Sequence, residues 1–261
     1  MKPEILLQSD LFSEDETTDT KSIISKYFDV VDIGDDWPLR YNDIEIKYGK
    51  GFRYISPIRT SLGFARRWYG ERYFEYANAL KWAPYFREHM VDPNFSFNSA
   101  DWILNNAYWV SSWPRPYLFI RPVSPFKEFS GNVYSEQKFR NEYDFYTKNK
   151  NGDPHLICMY SEAESIDTEW RCIFMGGRYI SGSQYMSNGE LNIKSEVPED
   201  VITFAKELAV KTYFYNNFQF VLDIGVVDGR LSLIEVNAFE TASFYGADLD
   251  KIYETWSKSI L

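Results

Sequence analysis

A chain of 261 residues that is 44% hydrophobic and 18% aromatic can bury one large core or two to three small ones, which excludes a disordered polymer. Its formal charge of -10 and pI near 4.9 lack the basic footprint of a nucleic-acid binder, leaving room only for a local basic patch. Two cysteines, Cys158 and Cys172, are too few for a disulfide framework, no charged leader with an apolar core precedes Glu4, and no apolar run nears the ~20 residues of a membrane span; the expectation is a cytoplasmic protein that does not enter a membrane.

In chain order, Ile5 to Gln8 reads as a short strand. An acidic stretch follows, best taken as a solvated loop or helix start, and then Lys21 to Tyr27 with Ile23, Ile24 and Tyr27 at helical spacing. Phe28 to Ile33 is a second strand, so the N-terminus predicts a small βαβ unit with a parallel pair. Further on, Arg53 to Ile58 is a strand and Ala65 to Tyr76 an aromatic-rich helix. Arg59, Arg66, Arg67 and Arg72 lie among Phe64, Trp68 and Tyr73, either as an anion-binding patch or as half-solvated arginines over aromatic stems. Ser99 opens a helix over Asn98 to Ala107.

Tyr117 to Ile120 is a strand that ends on Arg121-Pro122, followed by a Pro-, Ser- and Gly-containing loop with Lys127 and Gly131. Ser135 is a natural N-cap for a helix reaching about Tyr146, with Phe139, Tyr143 and Tyr146 as its buried stripe. Leu156 to Tyr160 is a buried strand, and Trp170 to Phe174 with Arg178 to Ser181 forms a hairpin about Gly176-Gly177. Helices are expected over Glu199 to Asn216, entered through Pro198, and over Asp248 to Ile260.

The stretch from Phe220 to Glu240 concentrates polar residues that a simple core would not hold. Two aliphatic runs flank Asp228-Gly229, a strong hairpin signal. Side chains alternate faces along a strand, so Glu235 and Asn237 point the same way. A two-residue loop would pair Asp223 with Ile234 and send its carboxylate to the other face; a three-residue loop, Val227 to Gly229 with Gly229 in a bulge, would bring Asp223, Glu235 and Asn237 together. Two carboxylates and an amide oxygen in apolar strands need a positive partner. Hard oxygen donors suit Mg²⁺; the plainer alternative is a solvated strand end.

Arg121 directly follows an apolar run and Arg171 sits within TEWRCIF, positions from which an arginine can recognise carboxylate or phosphate in bidentate fashion. Lys127 lies in a loop able to lay an ammonium over phosphates. The plainer reading is that Arg121 or Arg171 neutralises a structural carboxylate, with Glu169 a candidate partner. His89 and His155, the only histidines, fall in no motif and read as structural or surface residues.

Taken together, RPVSPFKEFSG, EWRCIFMGGRYISGSQY and LDIGVVDGRLSLIEVN resemble the ATP-grasp superfamily, in particular the clade with two arginines and a lysine in the nucleotide site. The resemblance covers about Tyr117 to Leu261. It implies an α/β (α+β) protein with two subdomains clasping ATP, residues 116–160 and 161–261, behind a small pre-ATP-grasp βαβ domain at 1–115. It implies that Asp223, Glu235 and Asn237 hold Mg²⁺, that Arg121, Lys127 and Arg171 serve the phosphates, and that adenine packs against a hinge at Met159, Tyr160 and Ser161, with Glu162 or Glu164 at the ribose. The Gly-rich loop common in that family is reduced here to Gly131. The hairpin is then expected to have the three-residue loop. The implied activity is ligation of a carboxylate to an amine through an acylphosphate, on amino acids or peptides, with Arg59, Ser61 and Arg66 as candidates for the acceptor's carboxylate. The alternatives are a kinase for a hydroxyl acceptor and an ATP-binding partner protein without turnover.

Overall fold

The computed structural model describes residues 2–7, 14–32, 54–55, 75–106, 117–126, 128–150, 152–211 and 219–259. The expected βαβ unit is there: β1 (Glu4–Leu7), α1 (Glu14–Ser25) and β2 (Asp29–Asp32), with β3 (Tyr54–Ile55) completing a parallel sheet in the order β2-β1-β3. All but the last two residues of the helix read over residues 65–76 lie outside the described residues, as do the arginines 59, 66, 67 and 72, Ser61 and Lys127.

A four-stranded antiparallel sheet follows, in the order β4-β7-β5-β6, from β4 (Ser96–Ser99), β5 (Leu118–Pro122), β6 (Asn132–Tyr134) and β7 (Ile157–Glu162). Its helices are α3 (Ala100–Asn106) and α4 (Glu136–Asn149), the latter capped by the Ser135 hydroxyl, which accepts from the Lys138 N–H at 3.3 Å. Leu118, Ile120 and Cys158 pack with Phe139 and Tyr146 beneath these helices. The division expected at residue 115 cuts this sheet, because its edge strand β4 lies upstream.

The third sheet is antiparallel, ordered β10-β9-β8-β11-β12, from β8 (Thr168–Met175), β9 (Arg178–Ser187), β10 (Glu190–Lys194), β11 (Gln219–Val227) and β12 (Arg230–Asn237). The β8–β9 turn is made by Gly176 and Gly177 at φ 55° and 71°, a left-handed conformation that glycine adopts freely. One face carries Trp170, Cys172, Phe174, Phe220, Leu222 and Leu233, covered by α5 (Glu199–Ala209) and α2 (Ala79–Tyr85). Helix α5 stops at Ala209, short of the expected Asn216: its buried stripe of Val201, Ala205, Leu208 and Ala209 ends there, and Val210 is 76% exposed.

The opposite face is divided. Its far half, with Ile173, Met175, Ile180 and Val221, is sealed by α6 (Leu249–Ser259), whose Trp256 meets Phe28 at 5.2 Å, so the N-terminal unit packs through α6. Its near half bears Glu169, Arg171, Asp223 and Gly225, of which Glu169 lines the cleft described below. Among the described residues no helix is long and apolar enough to cross a membrane.

Candidate nucleotide site

The hairpin is built differently from the expectation. Val227 pairs with Arg230, so the loop is the two-residue Asp228-Gly229, both left-handed at φ 49° and 73°, and not the three-residue Val227 to Gly229. Such a turn alone would set Asp223 opposite Ile234. A β-bulge intervenes, since Ile224 pairs with Leu233 while Asp223 pairs with Glu235, leaving Ile234 as the extra residue. The bulge, rather than the loop, brings Asp223, Glu235 and Asn237 to one face. It also turns Ile234 and Glu235 toward the same cleft, and the bare Gly225 accommodates the result: a Cβ there would stand 2.9 Å from Ile234 Cδ1.

A second bulge lies across the sheet. Trp170 pairs with Gln184 and Glu169 with Met186, so Tyr185 is the extra residue of β9, and both Tyr185 and Met186 line the cleft. The two bulges flank the β8–β11 pair that carries Arg171 opposite Asp223.

The polar contacts are dense. Arg171 grips Asp223 in bidentate fashion, Nε to Oδ1 at 2.8 Å and Nη2 to Oδ2 at 2.7 Å, and its Nη1 donates to the Ser243 carbonyl at 2.8 Å. Asn237 Nδ2 donates to Asp223 Oδ2 at 2.9 Å. Arg121, from the other sheet, places Nη2 at 2.7 Å from Glu235 Oε1, an ion pair that bridges the two sheets. Arg121, Arg171, Asp223 and Asn237 are all buried. Burial by itself would lower the Arg171 pKa, but the Asp223 charge and hydrogen bonds outweigh it and raise that pKa. The sequence left Glu169 as a possible partner of an arginine; its carboxylate instead accepts from the Tyr185 hydroxyl at 2.5 Å. Burial raises the Glu169 pKa, the Tyr185 hydrogen bond opposes that, and the Asp223 charge adds to it.

The cleft between the two sheets has a volume of about 700 Å³, within the ~300–1,000 Å³ typical of small-molecule sites. Phe119, Arg121, Met159 and Ser161 line it from the four-stranded sheet, Glu169, Tyr185, Ile234 and Glu235 from the five-stranded one. Tyr160 alternates away and packs near Trp102 at 6.3 Å, so of the three hinge residues expected only Met159 and Ser161 present side chains to the cleft. Glu162 and Glu164 are both on its wall, with Ser165 and Ile166 beside them. The loop residue Gly131 rests on Arg121: a Cβ at that position would lie 3.0 Å from Arg121 Cβ. His155 is exposed beside Asp101 at 3.5 Å, and His89 meets Phe204 at 6.0 Å; neither lines the cleft.

Among the described residues no three His, Cys, Asp or Glu side chains form a metal cluster. The candidate set is two carboxylates and one amide, all-oxygen donors of the hard kind Mg²⁺ takes, with water and phosphate oxygens completing its shell. Those residues therefore fit Mg²⁺ by donor chemistry. The sequence did not single out Tyr185, Ile234 or Asp92. The Glu169 and Arg171 spacing, two apart on one strand, was a legible signal that both side chains share a face.

Comparison with solved structures finds the same fold in D-alanine–D-alanine ligase from Bacillus anthracis, at 11% identity over 100% of this chain and 93% of that one, with a TM-score of 0.56. N5-carboxyaminoimidazole synthetase from Staphylococcus aureus, complexed with ADP, matches at 9% identity over 93% and 72% of the two chains, TM-score 0.54. A RiPP-associated ATP-grasp ligase from Chryseobacterium gregarium, in complex with ADP and a leader and core peptide, matches at 11% over 99% and 96%, TM-score 0.50. No curated protein sequence matches. The profile of the ATP-grasp domain, R2K clade family 2, matches residues 101–255, more than half of the chain. The chain belongs to the ATP-grasp family, in the R2K clade.

Proposed function

We propose that this protein is an ATP- and Mg²⁺-dependent ligase that activates a carboxylate as an acylphosphate and transfers it to an amine, joining amino acids or peptides. One observation carries the reading: cations from two different sheets, Arg121 and Arg171, converge on Glu235 and Asp223, which face each other across the β11–β12 pair, with Asn237 bound to Asp223, and of these Arg121 and Glu235 line the cleft. Buried arginines held by carboxylates are poised to turn part of their donor set to phosphate oxygens. Asp223, Glu235 and Asn237 would hold Mg²⁺, which supplies neutralisation of the polyphosphate charge. Lys127 is assigned to the loop above the phosphates. The adenine is assigned to the hinge at Met159 to Ser161, of which Met159 and Ser161 line the cleft, with Glu162 or Glu164 at the ribose.

In the reaction, a substrate carboxylate oxygen attacks the γ-phosphorus, the bond to the β-phosphate oxygen breaks, and ADP leaves. The amine nitrogen then attacks the acyl carbon, the C–O bond to phosphate breaks, and the nitrogen loses its proton. Phosphoryl transfer of this kind rests on positioning and charge neutralisation rather than on a protein nucleophile. That the solved neighbours include a D-alanine–D-alanine ligase and a ligase with bound peptide favours amino acids or peptides as substrates. We assign β1 to β3 to a pre-ATP-grasp-like unit and place the protein in the cytoplasm.

Hydroxylamine trapping tests the proposal. Protein incubated with Mg-ATP, hydroxylamine and pooled amino acids or peptides should form hydroxamate and ADP, and Glu235→Gln should form neither while keeping its circular dichroism spectrum. Undiminished hydroxamate from that variant would overturn the assignment.

A further inference from the structure

Arg171 lies against a stacked pair of aromatic rings as well as against Asp223. Its guanidinium carbon lies 5.4 Å from the Tyr185 ring centre and 5.0 Å from that of Tyr245. The two rings stack at 5.0 Å with 9° between their planes. Tyr185 owes its place to the β9 bulge, which turns it and Met186 together into the cleft. Tyr245 comes from the segment after β12 and is held in a left-handed backbone conformation, φ 49°, unusual for a side chain of its size. That segment is pinned on both sides of it. The Ser243 carbonyl accepts from Arg171, the Phe244 carbonyl from the Ser183 hydroxyl, and the Asp248 N–H donates to the Ser181 hydroxyl. Gly246 sits so close to β10 that a Cβ there would be 2.9 Å from Ile193 Cγ2. A strained residue fixed so firmly beside a buried cation is a functional signature, since structure elsewhere must maintain it.

We infer that Tyr185 and Tyr245 form a two-ring clamp that positions Arg171 and, through the Tyr185 hydroxyl, Glu169, for the phosphate end of a bound nucleotide; this rests on the nucleotide reading of the site given above. When Arg171 turns part of its donor set from Asp223 to a phosphate oxygen, hydrogen bonds to the carboxylate no longer fix its plane. The aromatic faces attract the cation whichever anion it serves, so they keep it in place through that exchange. The Tyr185 hydroxyl is a dependable donor to Glu169, because burial first, and then the Asp223 and Glu169 charges, raise its pKa well above the ordinary tyrosine value. Tyr185 and Tyr245 are thus positioning residues, acting through Arg171 and Glu169.

Calorimetric titration with Mg-ADP tests the clamp. Tyr245→Leu and Tyr185→Leu should each weaken binding about tenfold, as loss of a desolvated cation–π contact does. Tyr245→Phe, which keeps the ring, should bind as the wild type does, and Tyr185→Phe should lose only about threefold, for the one hydrogen bond to Glu169. In an Arg171→Met background, Tyr245→Leu should bring no further loss, an outcome a merely structural tyrosine would not give. Leucine variants that bind Mg-ADP like the wild type, or a Tyr245→Phe no better than Tyr245→Leu, overturn the clamp alone. Wild-type protein that binds no Mg-ADP overturns the nucleotide reading beneath it.

Discussion

Asp223 accepts two hydrogen bonds from Arg171 and one from Asn237 while only 2% exposed. The carboxylate proposed above to hold Mg²⁺ is the counter-charge that lets Arg171 be buried. Those two duties separate by mutation. Removing one partner of a buried pair leaves the other charge uncompensated, so Asp223→Ala should destabilise the fold by about 3–5 kcal/mol, read as a lower midpoint in urea. Glu235 is the less buried acid, with a side chain 14% exposed against Arg121. Glu235→Gln keeps an acceptor for Arg121 but removes the counter-charge of a pair that is only 5% and 14% exposed, so it should also lower the urea midpoint, by less than Asp223→Ala does. An Asp223→Ala midpoint equal to the wild type's would contradict the structural duty. Residue types were the most legible level of this protein. Arg121, Arg171, Asp223, Glu235 and Asn237 stand out because charges and amides inside apolar strands need partners, and the structure brings all five together.

The strands and helices were less evenly readable. β11 and β12 announce themselves by aliphatic runs about Asp228-Gly229, but their register does not. The sequence offered one way to put Asp223 beside Glu235, a three-residue loop, and the fold uses another: the two-residue turn is followed by a bulge at Ile234. A bulge leaves no composition signal, because the extra residue is as apolar as its neighbours. The β9 bulge hid Tyr185 for the same reason. What does show in hindsight is Gly225, a glycine in a strand interior, where close approach is the usual cause. A Cβ at Gly225 would come within 2.7 Å of Ile166 Cγ2 and 2.9 Å of Ile234 Cδ1. Gly225→Ala should therefore cost about 1–3 kcal/mol through overpacking and weaken Mg-ADP binding by displacing Ile234 from the cleft wall. Unchanged stability and affinity in that variant would show that the bulge is not held as described.

At the scale of the molecule, the site exists because two sheets face each other across one cleft, linked by Arg121 and Glu235. Two chain segments also cross between the sheets. Residues 163–167 join β7 to β8, and the segment after Met90, which bridges to Leu233 of β12, leads into β4. Asp92 ties the crossings together, its Oδ2 accepting from the Glu162 N–H at 3.2 Å. Sequence patterning found the βαβ start and, of the later sheets, β5, β7, β8, β9, β11 and β12, but not the short β6 or the exposed β10. It did not place β4 with the second sheet, since four mixed residues, SFNS, carry no clear period. The account as a whole stands on turnover at this cleft. The most direct test is simultaneous measurement of ADP and free phosphate released from Mg-ATP in the presence of pooled carboxylates, with and without pooled amines. The predicted result is release of both in equal amounts, dependent on the amine and lost in Glu235→Gln. ADP without free phosphate would instead identify a kinase, and Mg-ATP binding with no ADP released from any pool would contradict ligation.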